Sequence, residues 1–118
     1  MVRFDDVLRI VEIARRGVEL NASDIHLTVS RPPTFRVNGR LQSMEGAPAL
    51  SPEDTFKLGE ELLPHERLRQ ELQAQGQVDF SASLPGVGRV RVNIYTQRGS
   101  YAIAIRIIPM DVPDINLL

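Results

Sequence analysis

Residues 88–109 read GRVRVNIYTQRGSYAIAIRIIP, and this stretch decides how the chain folds. Val90, Val92 and Ile94 alternate with Arg89, Arg91 and Asn93; further on, Ile103, Ile105 and Ile107 alternate with Ala104, Arg106 and Ile108. Period-two alternation in β-branched residues marks strands with one buried face. The break between them, residues 96–100, carries the glycine that a tight turn needs. Facing residues of an antiparallel pair share a sheet face. A two-residue loop at Arg98 and Gly99 therefore sets Val92 against Ile105 and Ile94 against Ile103, apolar against apolar. The same register sets Arg91 opposite Arg106 on the other face.

Like charges directly opposite one another destabilise a sheet by roughly a few tenths of a kcal/mol to 1 kcal/mol. An anion placed between them reverses that sign. Two guanidiniums splayed into water satisfy the same geometry equally well, so the residues alone leave both readings open.

Working outward, Pro85-Gly86-Val87 reads as a three-residue turn that sets Leu84 opposite Gly88. That places Phe80 against Val92, Ser81 against Arg91 and Asp79 beside Asn93. Residues 77–83 form the strand, with Val78, Phe80 and Ala82 inward. Before it, Ser51-Pro52-Glu53-Asp54 has the N-cap, the N1 proline and the first-turn acids of a helix start. This helix is expected to reach about residue 63, Pro64 to break it, and residues 65–73 to form a second one. Phe56, Leu62, Leu63, Leu68 and Leu72 are the expected packing residues.

Near the start, Phe4, Val7, Leu8, Val11 and Ala14 fall at helical spacing, with Ile10 and Ile13 widening the stripe and Gly17 as the expected C-cap. Ile25, Leu27 and Val29 then alternate as a strand, which Pro32 and Pro33 interrupt. Two short strands follow, residues 34–37 and 40–43, joined at Asn38-Gly39. A two-residue hairpin there faces Val37 with Arg40. We favour a three-residue loop, which faces Val37 with Leu41 and Phe35 with Ser43. Together these elements make an α+β domain: a mainly antiparallel sheet with an N-terminal helix and a central helical pair packed on it.

The chain of 118 residues is of single-domain size. Its net charge of −1 gives no global pull toward nucleic acid or acidic lipid. It has no cysteine, so thiolate metal sites and disulfides are excluded. No apolar run is long enough to cross a bilayer. No phosphate-cradling GxxxxGK[ST] motif occurs. Ser23, Asp24 and His26 are close in sequence and read as a turn before a strand rather than a catalytic triad, with His26 bonding a neighbour. What remains is a basic sheet face of Arg89, Arg91 and Arg106, with Arg98 at the turn. Arginines on rigid strands suit one compact polyanion such as a terminal phosphate.

ASDIHL (22–27), PPTFRVNGRL (32–41), VDFSASLPGVGRVRVN (78–93) and AIRIIP (104–109) occur in the order and at the spacing of a known family. The ordered set resembles the N-terminal domain of the PilT family of type IV pilus retraction ATPases, within the secretion ATPase superfamily. The resemblance implies a PAS-like domain over residues 1–109, with 110–118 starting a linker to a RecA-like ATPase domain absent from this chain. It implies a cytoplasmic homo-hexamer of the full-length protein at the inner-membrane pilus machinery. There this domain packs on its own ATPase domain and on that of the adjacent subunit, and the ring engages an inner-membrane platform protein. No nucleic-acid partner and no membrane insertion are implied. ATP and Mg²⁺ belong to the missing domain, so this chain alone is expected to be inactive. Arg91 and Arg106 are implied to act as arginine fingers from the γ-phosphate side, with Arg98 nearby. Two alternatives stand beside this reading: a PAS-like sensor with a ligand in its sheet, and an interaction module.

Overall fold

A computed structural model of the chain describes residues 9–109. The elements in order are α1 (Ile10–Glu19), β1 (Asp24–Leu27), β2 (Thr34–Val37), β3 (Arg40–Ser43), α2 (Pro52–Leu62), α3 (Glu66–Gln75), β4 (Gln77–Leu84), β5 (Gly88–Gln97) and β6 (Ser100–Ile107). The strands form one six-stranded sheet in the order β3-β2-β1-β6-β5-β4, and every neighbouring pair is antiparallel. Ile25, Leu27, Phe35, Val92, Ile94, Ile103 and Ile105 are buried on the face the helices cover. The expected α+β class and PAS-like layout hold.

The β5–β6 hairpin closes as expected. Gln97 faces Ser100, Val92 faces Ile105 and Arg91 faces Arg106. The two turn residues, Arg98 and Gly99, have φ of 55° and 79°. Two successive positive φ values define a type I′ turn, whose twist matches that of the strands it joins. On the other flank Leu84 faces Gly88, Ser81 faces Arg91 and Asp79 faces Asn93, again as expected.

The β2–β3 hairpin differs from expectation. Val37 faces Arg40 and Phe35 faces Gln42, so the loop has two residues, not three. Asn38 and Gly39 have φ of 53° and 78°, the same turn type as at Arg98-Gly99. The reason is that β3 is an edge strand exposed along its whole length. With no apolar face to bury, nothing opposes the turn that Asn-Gly favours.

The first helix also departs from expectation. It continues past Gly17 to Glu19, and Leu20 caps it. Gly17 is buried inside it instead: a β-carbon there would lie 3.1 Å from Ile25 Cδ1. The missing side chain lets α1 lie close on the sheet, and Asn21 (φ 60°) supplies the left-handed residue after the helix. The packed face is Ile10, Ile13, Ala14 and Gly17; Phe4, Val7 and Leu8 lie outside the described residues, as does the expected linker. Glu61 on α2 receives the Ile10 N–H at 2.9 Å and pairs with Arg9, an acid at a helix N-terminus.

On α2, Ser51 and Asp54 form the reciprocal capping box. Phe56 is 50 % exposed rather than packed inward. Thr55, Leu58, Gly59 and Leu62 take the buried face, and Phe56 rests its ring on Tyr101 with centroids 5.2 Å apart. Arg69 on α3 binds Glu60 on α2 through Nε and through Nη2, the latter at 2.7 Å, and staples the helical pair. Gly76 ends α3 at φ 80°. Val29 lies beyond β1 and makes a parallel bridge with Leu50.

Candidate functional site

Because facing residues share a face, the registers define one polar row across the outer sheet surface. It runs Leu41, Arg36, Asp24, Arg106, Arg91, Ser81 from β3 to β4. The next row holds Thr34, His26, Ala104, Asn93 and Asp79. Asp24, His26, Asp79, Arg91, Asn93 and Arg106 line a shallow concavity of about 270 Å³. Arg91 and Arg106 are exposed, and neither guanidinium makes a hydrogen bond or ion pair among the described residues. Rigid strands hold their Cβ atoms roughly 4.5–5.5 Å apart. Two planar five-donor groups at that spacing can grip an oxyanion together.

Arg89 is exposed on the same face, opposite Ser83 and one step along the strand. Arg98 is not brought to the pair. It sits at the hairpin tip, seven residues along the strand from Arg91, or roughly 23 Å at the usual rise. There it borders a separate recess with Thr28, Ser30 and Tyr101.

In the sequence Asp24 reads as part of a turn before a strand, and nothing there singles out Arg36. The structure joins them. Ser23 Oγ donates to Asp24 Oδ1 at 2.6 Å, His26 Nε2 lies 2.6 Å from Oδ2, and Arg36 Nε donates to Oδ2 at 3.4 Å. An ionised carboxylate only accepts, so Nε2 carries the proton. Burial raises the Asp24 carboxyl, but the hydrogen bonds from Ser23, His26 and Arg36 and the attraction of His26 outweigh it, and the group sits below its ordinary value. Ser23 bonds Asp24 and not His26, so these three residues are not arranged as a triad. The signal for this cluster was the i, i+2 spacing of Asp24 and His26, which puts both on one strand face. Its partner Arg36 is legible only once β1 is paired with β2.

Among the described residues no three His, Cys, Asp or Glu side chains gather to hold a metal. No helix among them is long and apolar enough to cross a membrane.

Three comparisons set the chain beside pilus ATPases. The type IV pilus ATPase PilU of Pseudomonas aeruginosa is 31 % identical over 119 residues, covering 99 % of this chain and 28 % of that protein. The type IV pilus retraction ATPase PilT of the same bacterium is 30 % identical over 103 residues, 87 % of this chain and 29 % of that one. The crystal structure of the pilus retraction motor PilT with bound ADP matches at a TM-score of 0.83 and 46 % identity, covering 94 % of this chain and 32 % of the motor. No family model matches the chain. The chain is an N-terminal domain of a PilT-like secretion ATPase. It spans under a third of the length of the curated relatives it matches here.

Proposed function

We propose that this chain is the N-terminal domain, residues 1–109, of a hexameric motor ATPase that drives type IV pilus retraction and so twitching motility. Residues 110–118 begin the linker to a RecA-like ATPase domain. The motor works in the cytoplasm against an inner-membrane platform protein, and this domain packs on the ATPase domain of a neighbouring subunit. Arg91 and Arg106 face the nucleotide from its γ-phosphate side, and Arg98 reaches the same site only if the neighbour's domain extends to the hairpin tip.

The observation that carries this reading is the facing pair of arginines, exposed and without an acid of their own among the described residues. A sheet that sets like charges opposite each other loses stability, and a phosphate restores it. The residues fit a nucleotide's terminal phosphate. They do not fit Mg²⁺, since Asp24 is already held by three donors and no metal-ligand cluster forms among the described residues. ATP supplies the phosphoryl group and the negative charge that grows on it during hydrolysis. The two guanidiniums hold that charge and orient it from outside the ATPase domain.

The test is ATP turnover by the full-length protein carrying Arg91→Ala or Arg106→Ala, with ring assembly checked by size-exclusion chromatography. An arginine finger contributes roughly 10³–10⁵ in rate, so assembled rings should lose most of their turnover. Wild-type turnover in assembled rings rejects the reading.

A further inference from the structure

Asp24 stands between two arginines. Its register partner on β2 is Arg36 and on β6 is Arg106. Cross-strand neighbours have Cβ atoms roughly 4.5–5.5 Å apart, so the carboxylate is within reach of either guanidinium. It pairs with Arg36 alone; Arg106 makes no ion pair among the described residues.

Its other partners fix that choice. Ser23 Oγ binds Oδ1 at 2.6 Å and also lies 3.5 Å from the Arg36 carbonyl oxygen, so it holds the carboxylate from the β2 side. His26 Nε2 holds Oδ2 at 2.6 Å, the same oxygen that Arg36 Nε approaches. A carboxylate has about four acceptor positions, and these donors fill most of them. On the other flank, Asp79 faces Asn93 rather than an arginine and makes no ion pair among the described residues. Neither acid that lines the concavity is thus ion-paired with Arg91 or Arg106 among the described residues.

We propose that Asp24 is a positioning residue: Ser23, His26 and Arg36 hold its carboxylate toward β2, and this keeps Arg106 unpaired and open to phosphate. The inference rests on the phosphate-facing reading of Arg91 and Arg106. When the hold is cut, Asp24 turns to Arg106. The cross-strand ion pair that forms competes with the anion for the same guanidinium.

Two measurements on the 118-residue chain at low salt test it. The first needs no ligand. A double-mutant cycle of Asp24→Asn and Arg106→Gln reads their coupling in the folding constant. It should be close to unity in the wild-type background and rise to ~2- to 5-fold, the value of an exposed ion pair, once His26→Ala and Arg36→Ala are present. The second titrates inorganic tripolyphosphate while following the backbone amides of β5 and β6 by NMR. Asp24→Asn should change the affinity less than about 2-fold in the wild type but restore a ~2- to 5-fold loss in the His26→Ala/Arg36→Ala chain. A purely structural role for Asp24 would give no such rescue.

Coupling between Asp24 and Arg106 that is already present in the wild type overturns the proposal. So does coupling that fails to appear in the double variant, or an Asp24→Asn effect of equal size in both backgrounds. A chain that shows the coupling switch yet does not bind tripolyphosphate supports the positioning role, and it removes the phosphate reading instead.

Discussion

Gly59 on α2 lies directly against the ring of Tyr101 on β6. A β-carbon at position 59 would sit 2.5 Å from Tyr101 Cδ2 and 3.0 Å from Cε2. Phe56 rests against the same ring, so Tyr101 is held between two positions of one helix. This contact seats the helical pair on the strand that carries Arg106. Forcing a methyl group into a packed contact costs about 1–3 kcal/mol, while Gly→Ala inside a helix returns about 1 kcal/mol. Gly59→Ala is therefore expected to lower the melting temperature of the domain by several degrees. In a Tyr101→Ala background the same change should raise it, because only the helix-propensity gain remains. Thermal unfolding followed by circular dichroism reads both; a Gly59→Ala chain that melts above the wild type would show that the ring yields freely.

Leu41 tests the hairpin register. In the three-residue loop that hydrophobic pairing favours, Leu41 faces Val37 and is drawn toward the core. In the structure it faces Arg36 and is 52 % exposed. Leu41→Ser should thus change the unfolding free energy by no more than about 0.5 kcal/mol, as for other open surface positions. Phe35→Ala, one strand inward and fully buried, should cost about 3–5 kcal/mol. Urea unfolding compares the two, and a Leu41→Ser loss above about 2 kcal/mol would restore the longer loop.

These two hairpins mark where the sequence is legible. In β5–β6 the alternation, the turn residues and the burial of one face all point to one register, and Arg91 is found opposite Arg106. In β2–β3 turn chemistry and hydrophobic pairing disagree, and an edge strand without a buried face lets the turn decide. Gly17 misleads for a related reason. A glycine near a helix end has the same appearance whether it caps the helix or lets it approach a sheet, and only the nearness of Ile25 and Ile107 tells them apart. The arginine pair could be read from two strands adjacent in sequence. The Asp24 cluster could not, because it needs the register of β1 on β2 across the Pro32-Pro33 connection, and its place beside Arg106 needs β1 inserted between β2 and β6, a long-range pairing that no local pattern encodes.

The Asp24 cluster gives stability a pH dependence of definite sign. Burial works against the charged form, but the Ser23, His26 and Arg36 contacts prevail and the folded carboxyl titrates below its ordinary value. An unfolded aspartate titrates near 3.9, roughly. As pH falls through that range the unfolded state therefore binds more protons than the folded one, and the fold loses stability. The contribution is fully present above the unfolded value and disappears as the pH drops through the folded one. Asp24→Asn should lower stability at neutral pH and flatten the acid limb of a plot of unfolding free energy against pH. The two curves should converge in acid. Parallel curves down to the lowest pH would mean that the carboxylate contributes nothing through its charge.

The arginine pair itself has a measurable cost in the free domain. With both heads exposed and neither ion-paired among the described residues, removing one should relieve repulsion. Arg91→Gln is expected to stabilise the isolated domain by a few tenths of a kcal/mol to about 1 kcal/mol at low salt. Arg106→Gln should do the same, and the double variant should gain little more than either alone, since one repulsion is relieved once. In 1 M salt the screening length falls to about 3 Å and the gain should vanish. Arg89→Gln is the control: its β4 neighbour is Ser83, so its effect should stay within about 0.5 kcal/mol at either salt. If Arg91→Gln destabilises instead, the arginine stem contributes more by packing on the sheet than its charge takes away. The expected pattern is that of a binding site held ready: the same substitutions that firm the free domain remove the groups that would meet a phosphate.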